Sequence, residues 1–133
     1  MIEFACAETS AGRWLVFYGS PESSHDFAEL NRMFERLRDG ADEIVLSDLP
    51  FVQSVGAVRL VATLAPRGAG VTRLSQDAFV WSLSSPEWDD VVGLAGGLRG
   101  IGHQYLSRHP TDDAAVILSL GEYTPGWFSA VNR

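Results

Sequence analysis

Lysine is absent from the sequence, and cysteine occurs only once, as Cys6. A single cysteine excludes an internal disulfide, which suits a reducing compartment. No apolar run approaches the roughly 18 residues that a membrane helix needs. The N-terminus carries an acid, Glu3, and no basic segment, so a signal peptide is not expected. Together these absences predict a cytoplasmic protein that makes no use of a membrane.

Positive charge is also scarce, because ten Arg stand against seventeen Asp or Glu and the formal net charge is -7. Binding to phosphates needs clustered cations. The densest basic stretch, Arg32, Arg36 and Arg38, is interleaved with Glu29 and Glu35, as is typical of a solvated helix face. The sequence therefore predicts no nucleic-acid partner. A basic protein is a fitting partner, since net charge steers encounters between proteins.

Length and composition indicate one domain spanning residues 1–133. Apolar residues make up 46% of the chain and charged residues 20%, which is close to the globular average. A chain of this size buries roughly two thirds of its unfolded surface, so it needs no disulfide or metal in order to fold. No repeat, low-complexity tract or long linker divides it.

Hydrophobic periodicity predicts a first helix from about Ser24 to Asp39. Its apolar residues recur at three- and four-residue steps and form one stripe, which consists of Phe27, Leu30, Phe34 and Leu37. Ser23, with Asp26 three residues later, resembles a capping box. Gly40 is a fitting stop at the C-terminus.

A second helix is predicted from about Pro86 to Leu98. Ser85 is the expected N-cap, and Pro86 suits the first helical position. Three glycines in its second half, Gly93, Gly96 and Gly97, each disfavour a helix by up to about 1 kcal/mol. We expect the helix to fray there, or another backbone to pack closely against it.

The remaining segments alternate in the way that strands do. The predicted strands are Ile2–Cys6, Trp14–Tyr18, Glu43–Ser47, Val55–Leu64, Val71–Leu83, His103–Ser107 and Ala114–Leu120. Short connections favour a hairpin at each end of the chain. The predicted fold is α+β, with one mainly antiparallel sheet of about six to seven strands and two helices packed on one face, in the order β-β-α-β-β-β-α-β-β.

Polar residues gather at one end of the predicted C-terminal hairpin. His103 begins one strand and Glu122 follows the other, so we expect the two side chains to meet. A histidine held by a carboxylate can serve as a general base or as a pH-sensitive contact. An enzyme or ligand-binding site would use His103, oriented by Glu122, with Tyr105 or Tyr123 assisting. The plainer alternative is a histidine that hydrogen-bonds locally at a strand end.

A metal site would draw on His103, His109, Asp112 and Asp113, whose side chains suit zinc or similar ions. Their spacing matches no metal motif, and adjacent Asp residues are common in turns, so neither a metal nor another cofactor is predicted. Cys6 lies on the predicted inner face of the first strand, where a buried thiol is inert. No serine stands in a nucleophile elbow, and no Gly-rich segment has the phosphate-loop pattern.

The preferred function is a small acidic binding protein that neutralises a basic protein partner, in the manner of immunity proteins and inhibitors. Charge steers such association and aromatic side chains anchor it, so the expected contacts are Asp112, Asp113, Glu122, Tyr123 and Trp127. The first alternative is the enzyme or ligand-binding site at His103. The second is a homo-oligomeric structural protein that pairs through an edge strand or an aromatic patch.

Overall fold

The computed structural model describes residues 1–10 and 12–123. The helices within them are α1 (Ser24–Arg38) and α2 (Ser85–Gly96). The strands are β1 (Ile2–Thr9), β2 (Gly12–Gly19), β3 (Glu43–Val45), β4 (Val52–Ser54), β5 (Arg59–Leu64), β6 (Gly70–Ser75), β7 (Ala78–Leu83), β8 (Gly102–Tyr105) and β9 (Ala115–Leu120). The predicted α+β class is confirmed. No helix in the described part of the chain is long and apolar enough to cross a membrane.

The strands divide between two mixed sheets. One has five strands in the order β4-β1-β2-β9-β8, and the other has four in the order β3-β5-β7-β6. The β1–β2, β3–β5, β6–β7 and β8–β9 pairs are antiparallel, whereas β1–β4, β2–β9 and β5–β7 are parallel. The predicted hairpins at the two ends of the chain are therefore confirmed. The single sheet of six to seven strands is wrong, because the described residues form nine strands in two sheets.

One predicted strand is shorter than expected, and another is divided into two strands. The segment predicted as one strand over Val55–Leu64 begins with a turn in which Gly56 and Ala57 have φ values of 74° and 57°. This turn separates β4, in the five-stranded sheet, from β5, in the four-stranded sheet. The segment Val71–Leu83 folds back at residues 76–77 to form the β6–β7 hairpin. The alternation of apolar and polar residues continues through this turn, so the sequence pattern does not indicate where the strand ends.

The strand β2 lies at the centre of the five-stranded sheet. Its unbroken run of apolar residues is buried on both faces of that sheet. Leu15 and Phe17 join the main core, while Val16 and Tyr18 join a second buried cluster on the opposite face. A strand buried on both sides needs apolar residues at every position rather than at alternate ones. The run of residues 14–18 therefore indicated a central strand correctly.

The main core is shared by both sheets and both helices, with an aromatic cluster at its centre. Phe34 of α1 stacks on Trp88 of α2 with ring centroids 5.9 Å apart, and Trp81 of β7 meets Trp88 at 4.8 Å. Trp88 also donates a hydrogen bond from Nε1 to the Thr63 carbonyl, at 3.1 Å. Large buried aromatic side chains of this kind dominate core energetics. The cluster fixes both helices against the four-stranded sheet.

The helix boundaries agree with the predictions to within two residues, and Gly40 follows the end of α1 with a φ of 119°, as predicted for its stop. Neither predicted side-chain cap at a helix N-terminus forms. The Ser23 hydroxyl donates to the Met1 carbonyl at 3.0 Å instead of capping α1, and Asp26 pairs with the N-terminal amine at 2.8 Å. The cap of α2 is Ser84 rather than Ser85, and it forms a complete capping box with Glu87. The first difference follows from contacts with Met1, which a local pattern does not contain. The second could have been predicted, because Ser84 with Glu87 three residues later is the sequence pattern of a capping box.

The glycines of α2 do not serve a close approach of another backbone. A Cβ atom added at Gly93 would meet nothing within 4 Å, and one at Gly96 would meet only Asn31 Nδ2, at an ordinary 3.6 Å. Glycine inside a helix costs roughly 0.5–1 kcal/mol relative to alanine. Glycine at these two positions therefore lowers the stability of the helix, although the packing around them leaves room for a Cβ atom.

Candidate functional site

The C-terminal hairpin positions the residues of the candidate site. Antiparallel pairing of β8 with β9 sets His103 opposite Ser119 and Tyr105 opposite Ile117, so the four side chains share one face of the sheet. Gly121, with a φ of 73°, ends β9 and donates a backbone hydrogen bond to the Gly19 carbonyl at 2.7 Å. This left-handed turn, which favours glycine, places the next residue, Glu122, beside the hairpin.

Glu122 joins His103 to Ser119. His103 Nδ1 lies 2.9 Å from Glu122 Oε2, and the Ser119 hydroxyl donates to Glu122 Oε1 at 2.6 Å. The His103 side chain is 54% exposed and that of Glu122 is 27% exposed. The structure therefore brings together His103 and Glu122, as the hairpin prediction required. Ser119 was missed, although the register of the hairpin was the signal that could have identified it.

The electrostatics of the pair favour an ionised carboxylate. Burial raises the pKa of Glu122, but hydrogen bonds from Ser119 and His103 outweigh burial and hold it below its ordinary value of 4.5. When a neutral imidazole donates a hydrogen bond from Nδ1–H to a carboxylate, its lone pair is on Nε2. Nε2 of His103 is thus the atom available for proton transfer or for an incoming hydrogen bond.

A cavity of about 100 Å³ adjoins this pair and crosses the three neighbouring strands β2, β9 and β8. Trp14 and Val16 line it on one side, and Tyr105 and Tyr123 contribute aromatic surface. Burial raises the pKa of the Tyr123 hydroxyl, and the nearby charge of Glu122 adds to that shift. A space of this size admits one small group and is well below the roughly 300–1,000 Å³ of ordinary ligand pockets.

Two exposed apolar side chains lie close together in the sequence, in β8 and directly before it. Among the described residues, the exposed large hydrophobic side chains are Met1, Leu74, Ile101 and Tyr105. Ile101 is 75% exposed and Tyr105 is 44% exposed, and they flank His103 in the sequence. Ile101 also lies beside Gly121, where an added Cβ would meet its Cγ1 at 3.0 Å. We call the four residues Ile101, His103, Tyr105 and Glu122 the β8 surface.

Asp112 and Asp113 hold the connection between β8 and β9 against the edge of the other sheet. Asp112 accepts backbone hydrogen bonds from Val71 at 2.7 Å and from His109 at 2.9 Å. Asp113 accepts one from the Arg73 backbone at 2.7 Å. Both carboxylates thus satisfy backbone donors within the fold. Their role in binding a partner stays a prediction, and the contacts seen here assign them a structural role.

The metal interpretation is not supported by the arrangement of its residues. Within residues 1–10 and 12–123, no group of three or more His, Cys, Asp or Glu side chains is placed to hold a metal ion. His109 Nδ1 contacts the Thr111 hydroxyl at 2.9 Å, whereas His103 contacts Glu122. The four residues His103, His109, Asp112 and Asp113 therefore do not form one site.

Two residues considered in the sequence analysis remain, the predicted partner contact Trp127 and the thiol of Cys6, which is predicted to be inert. Trp127 lies outside the described residues, so its predicted contact is untested. Cys6 is half-buried against the main core, and burial raises the pKa of its thiol. A raised pKa lowers the thiolate fraction and with it the reactivity.

Comparison of this chain with protein-family models, with curated proteins and with solved structures finds no match.

The hydrogen bonds of Asp112 predict a specific loss of stability. Asp112→Ala removes the acceptor for two backbone N–H groups, so the free energy of unfolding should fall by about 1–3 kcal/mol. Urea denaturation followed by tryptophan fluorescence measures this loss. Asp48→Ala is the matched control, because it removes only a surface ion pair with Arg59 at 3.5 Å and should cost at most about 1 kcal/mol. Equal losses in both variants would contradict the structural role of Asp112.

The lowered pKa of Glu122 predicts a pH dependence of stability. A carboxyl group whose pKa is lower in the folded state stabilises the protein above its unfolded pKa, and this contribution is lost as the pH falls. The stability difference between the wild type and Glu122→Gln should therefore be largest near neutral pH and shrink as the pH falls below 4.5. Urea denaturation of both proteins at a series of pH values measures it. A difference that is constant over pH would contradict the shift.

Proposed function

We propose that this protein is a small acidic binding protein whose β8 surface contacts a basic protein partner. The observation that carries the proposal is the concentration of exposed apolar side chains, Ile101 and Tyr105, on either side of His103. Exposed aromatic and apolar side chains beside polar groups are typical of interface anchors. The residues proposed to contact the partner are therefore those of the β8 surface rather than Asp112 and Asp113.

The backbone of β8 supports the same interpretation. Leu106 N donates to the Val116 carbonyl at 2.8 Å, so even-numbered residues of this strand bond to β9 and odd-numbered ones point away. The backbone N–H and C=O groups of His103 and Tyr105 therefore face the open side of an edge strand. On that side, the Tyr105 carbonyl accepts a hydrogen bond from Gln104 Nε2 at 3.1 Å. A partner strand can add to such an edge.

The net charge of the chain supports a basic partner, and its cysteine content supports a reducing compartment. A net charge of -7 raises the rate of encounter with a cationic surface and repels other acidic proteins. The lone cysteine needs no oxidising compartment, which fits action in the cytoplasm. Inhibition by occupation of a basic active surface is the mode that these properties favour.

A second candidate function rests on the His103–Glu122 pair. The 2.9 Å contact at Nδ1 leaves Nε2 as the basic nitrogen, and the adjoining cavity of about 100 Å³ can hold one small group. In this alternative, Glu122 orients the imidazole and His103 takes a proton from a water that attacks a small substrate. The His103 side chain is 54% exposed and the adjoining cavity is small. A catalytic site is therefore the weaker of the two candidate functions.

The binding proposal predicts the effect of changing the β8 surface. The double variant Ile101→Ser/Tyr105→Ala should bind the partner at least about tenfold more weakly, because each interface anchor is worth more than about 1 kcal/mol. Affinity capture from a lysate of the source cells, with mass spectrometry and a salt series, identifies the partner. The purified pair then gives the dissociation constant. Association should slow as salt is added.

Leu74→Ser is the matched control, because Leu74 is 65% exposed but lies on β6. It should leave the affinity unchanged. Equal binding by the wild type and the double variant would contradict the β8 surface. A partner without basic character, bound independently of salt, would contradict the charge argument. A wild type that is dimeric in solution, with the double variant monomeric, would favour the homo-oligomer instead.

The general-base alternative predicts catalysis of a simple hydrolysis. His103→Gln should reduce the rate of p-nitrophenyl acetate hydrolysis by about 10²-fold if His103 acts as a positioned base. Stopped assays near neutral pH measure the rate. His109→Gln is the control and should have no effect, since His109 lies on the loop that contacts β6. Equal rates in the two variants would exclude this function.

A further inference from the structure

A second cavity of the described structure lies between the two helices and shares no lining residue with the β8 surface. It has a volume of about 510 Å³ and is bounded by α1 from Ser24 to Glu35, by the C-terminal end of α2 with the residues that follow it, and by the end of β9. Its walls are mainly apolar and include Phe27, Leu98, Leu118 and Leu120. This volume is within the usual range of small-molecule pockets, about 300–1,000 Å³.

The groove is left open by a residue that the fold does not require. Gly96 lines it, and an alanine at this position would fit, because its Cβ would be in ordinary contact with Asn31 only. A helix that keeps glycine where a better helix former fits contains a local conflict, and such conflicts mark functional positions. Any longer side chain at residue 96 would extend from α2 into the groove.

The polar groups of the groove select the charge of a ligand. Its lining has two guanidinium groups, from Arg32 and Arg99, and one carboxylate, from Glu35. Arg32 pairs with Glu29 at 3.5 Å, whereas Arg99 has no partner among the described residues. Because Arg32 is already paired, Arg99 is the cation of this lining that an anionic ligand can contact.

A buried acceptor in the same wall adds a second requirement. Asn31 donates from Nδ2 to the Val92 carbonyl at 3.3 Å, but its Oδ1 is buried and has no hydrogen-bond donor within the described structure. Buried polar atoms are usually paired. An N–H or O–H group of a ligand is the chemistry that this atom lacks.

We propose that the α1–α2 groove binds a small amphipathic carboxylate that also carries a hydrogen-bond donor. The apolar part of the ligand packs on Phe27, Leu98 and Leu118. Its carboxylate pairs with Arg99 at the rim, and its donor bonds to Asn31 Oδ1. The site is independent of the proposed partner contact, because it shares no residue with the β8 surface.

The test is a titration of the full chain with N-hexanoylglycine, followed by ¹⁵N–¹H NMR. We expect saturable shifts of the Phe27, Leu98 and Leu118 amides. Gly96→Leu should weaken binding at least about tenfold, because it fills the groove, and Arg99→Gln should weaken it severalfold by removing a charged hydrogen bond. Gly93→Leu is the matched control on the same helix. It does not line the groove and should bind as the wild type does.

Three outcomes would overturn the proposal. One is the absence of saturable shifts at the groove, and another is equal weakening by Gly93→Leu. The third is equal binding of nonylammonium, which has the same length and the opposite charge. Nonanoate has the carboxylate but no N–H group, so binding as tight as that of N-hexanoylglycine would overturn the role of Asn31. Ala28→Leu, on the exposed wall of α1, repeats the blocking test if Gly96→Leu does not fold.

Discussion

The parallel pairing of β2 with β9 is the contact on which the site and much of the fold depend. It sets Trp14–Gly19 beside Ala115–Leu120, two segments that come from opposite ends of the described chain. Forming such a non-local pair is slow, because the loop between the strands must close first. Because β8 pairs with β9 in a hairpin, pairing of β9 with β2 also places β8 in this sheet. His103, Ser119 and Glu122 then lie on the same sheet face as Trp14 and Val16.

The same hairpin accounts for a difference between the two sheets in how their edges are protected. The loop before β9 covers β6, since Asp112 and Asp113 accept hydrogen bonds from the backbone of Val71 and Arg73. The opposite edges are three-residue strands, β3 and β4, and very short edges resist strand addition. The edge at β8 has no comparable cover in the described structure. Acidic side chains thus close one edge, and the edge left open is the one with exposed apolar residues.

Local patterns were sufficient for the elements whose contacts lie close in sequence. The stripe at Phe27–Leu37 predicted α1, and the terminal hairpins followed from short connections. The meeting of His103 with Glu122 followed from the hairpin alone. What failed was the assignment of strands to sheets, because Gly56 and Ala57 break a continuous alternation and parallel neighbours leave no mark in a local pattern. The cap of α1 failed for a similar reason, since Ser23 bonds to Met1.

The sequence also contained a signal whose meaning became clear only in three dimensions. The glycines of α2 predicted either fraying or a close backbone approach, but α2 continues through Gly96 and no backbone approaches Gly93 or Gly96. A helix normally gains stability by replacing such residues with alanine, so their presence needs a reason beyond packing. The open groove beside Gly96 supplies one, while Gly93 lines no part of that groove. Since both glycines could be replaced without a clash, substitutions at these two positions are what separates a general tolerance of glycine in this helix from a requirement for space at Gly96.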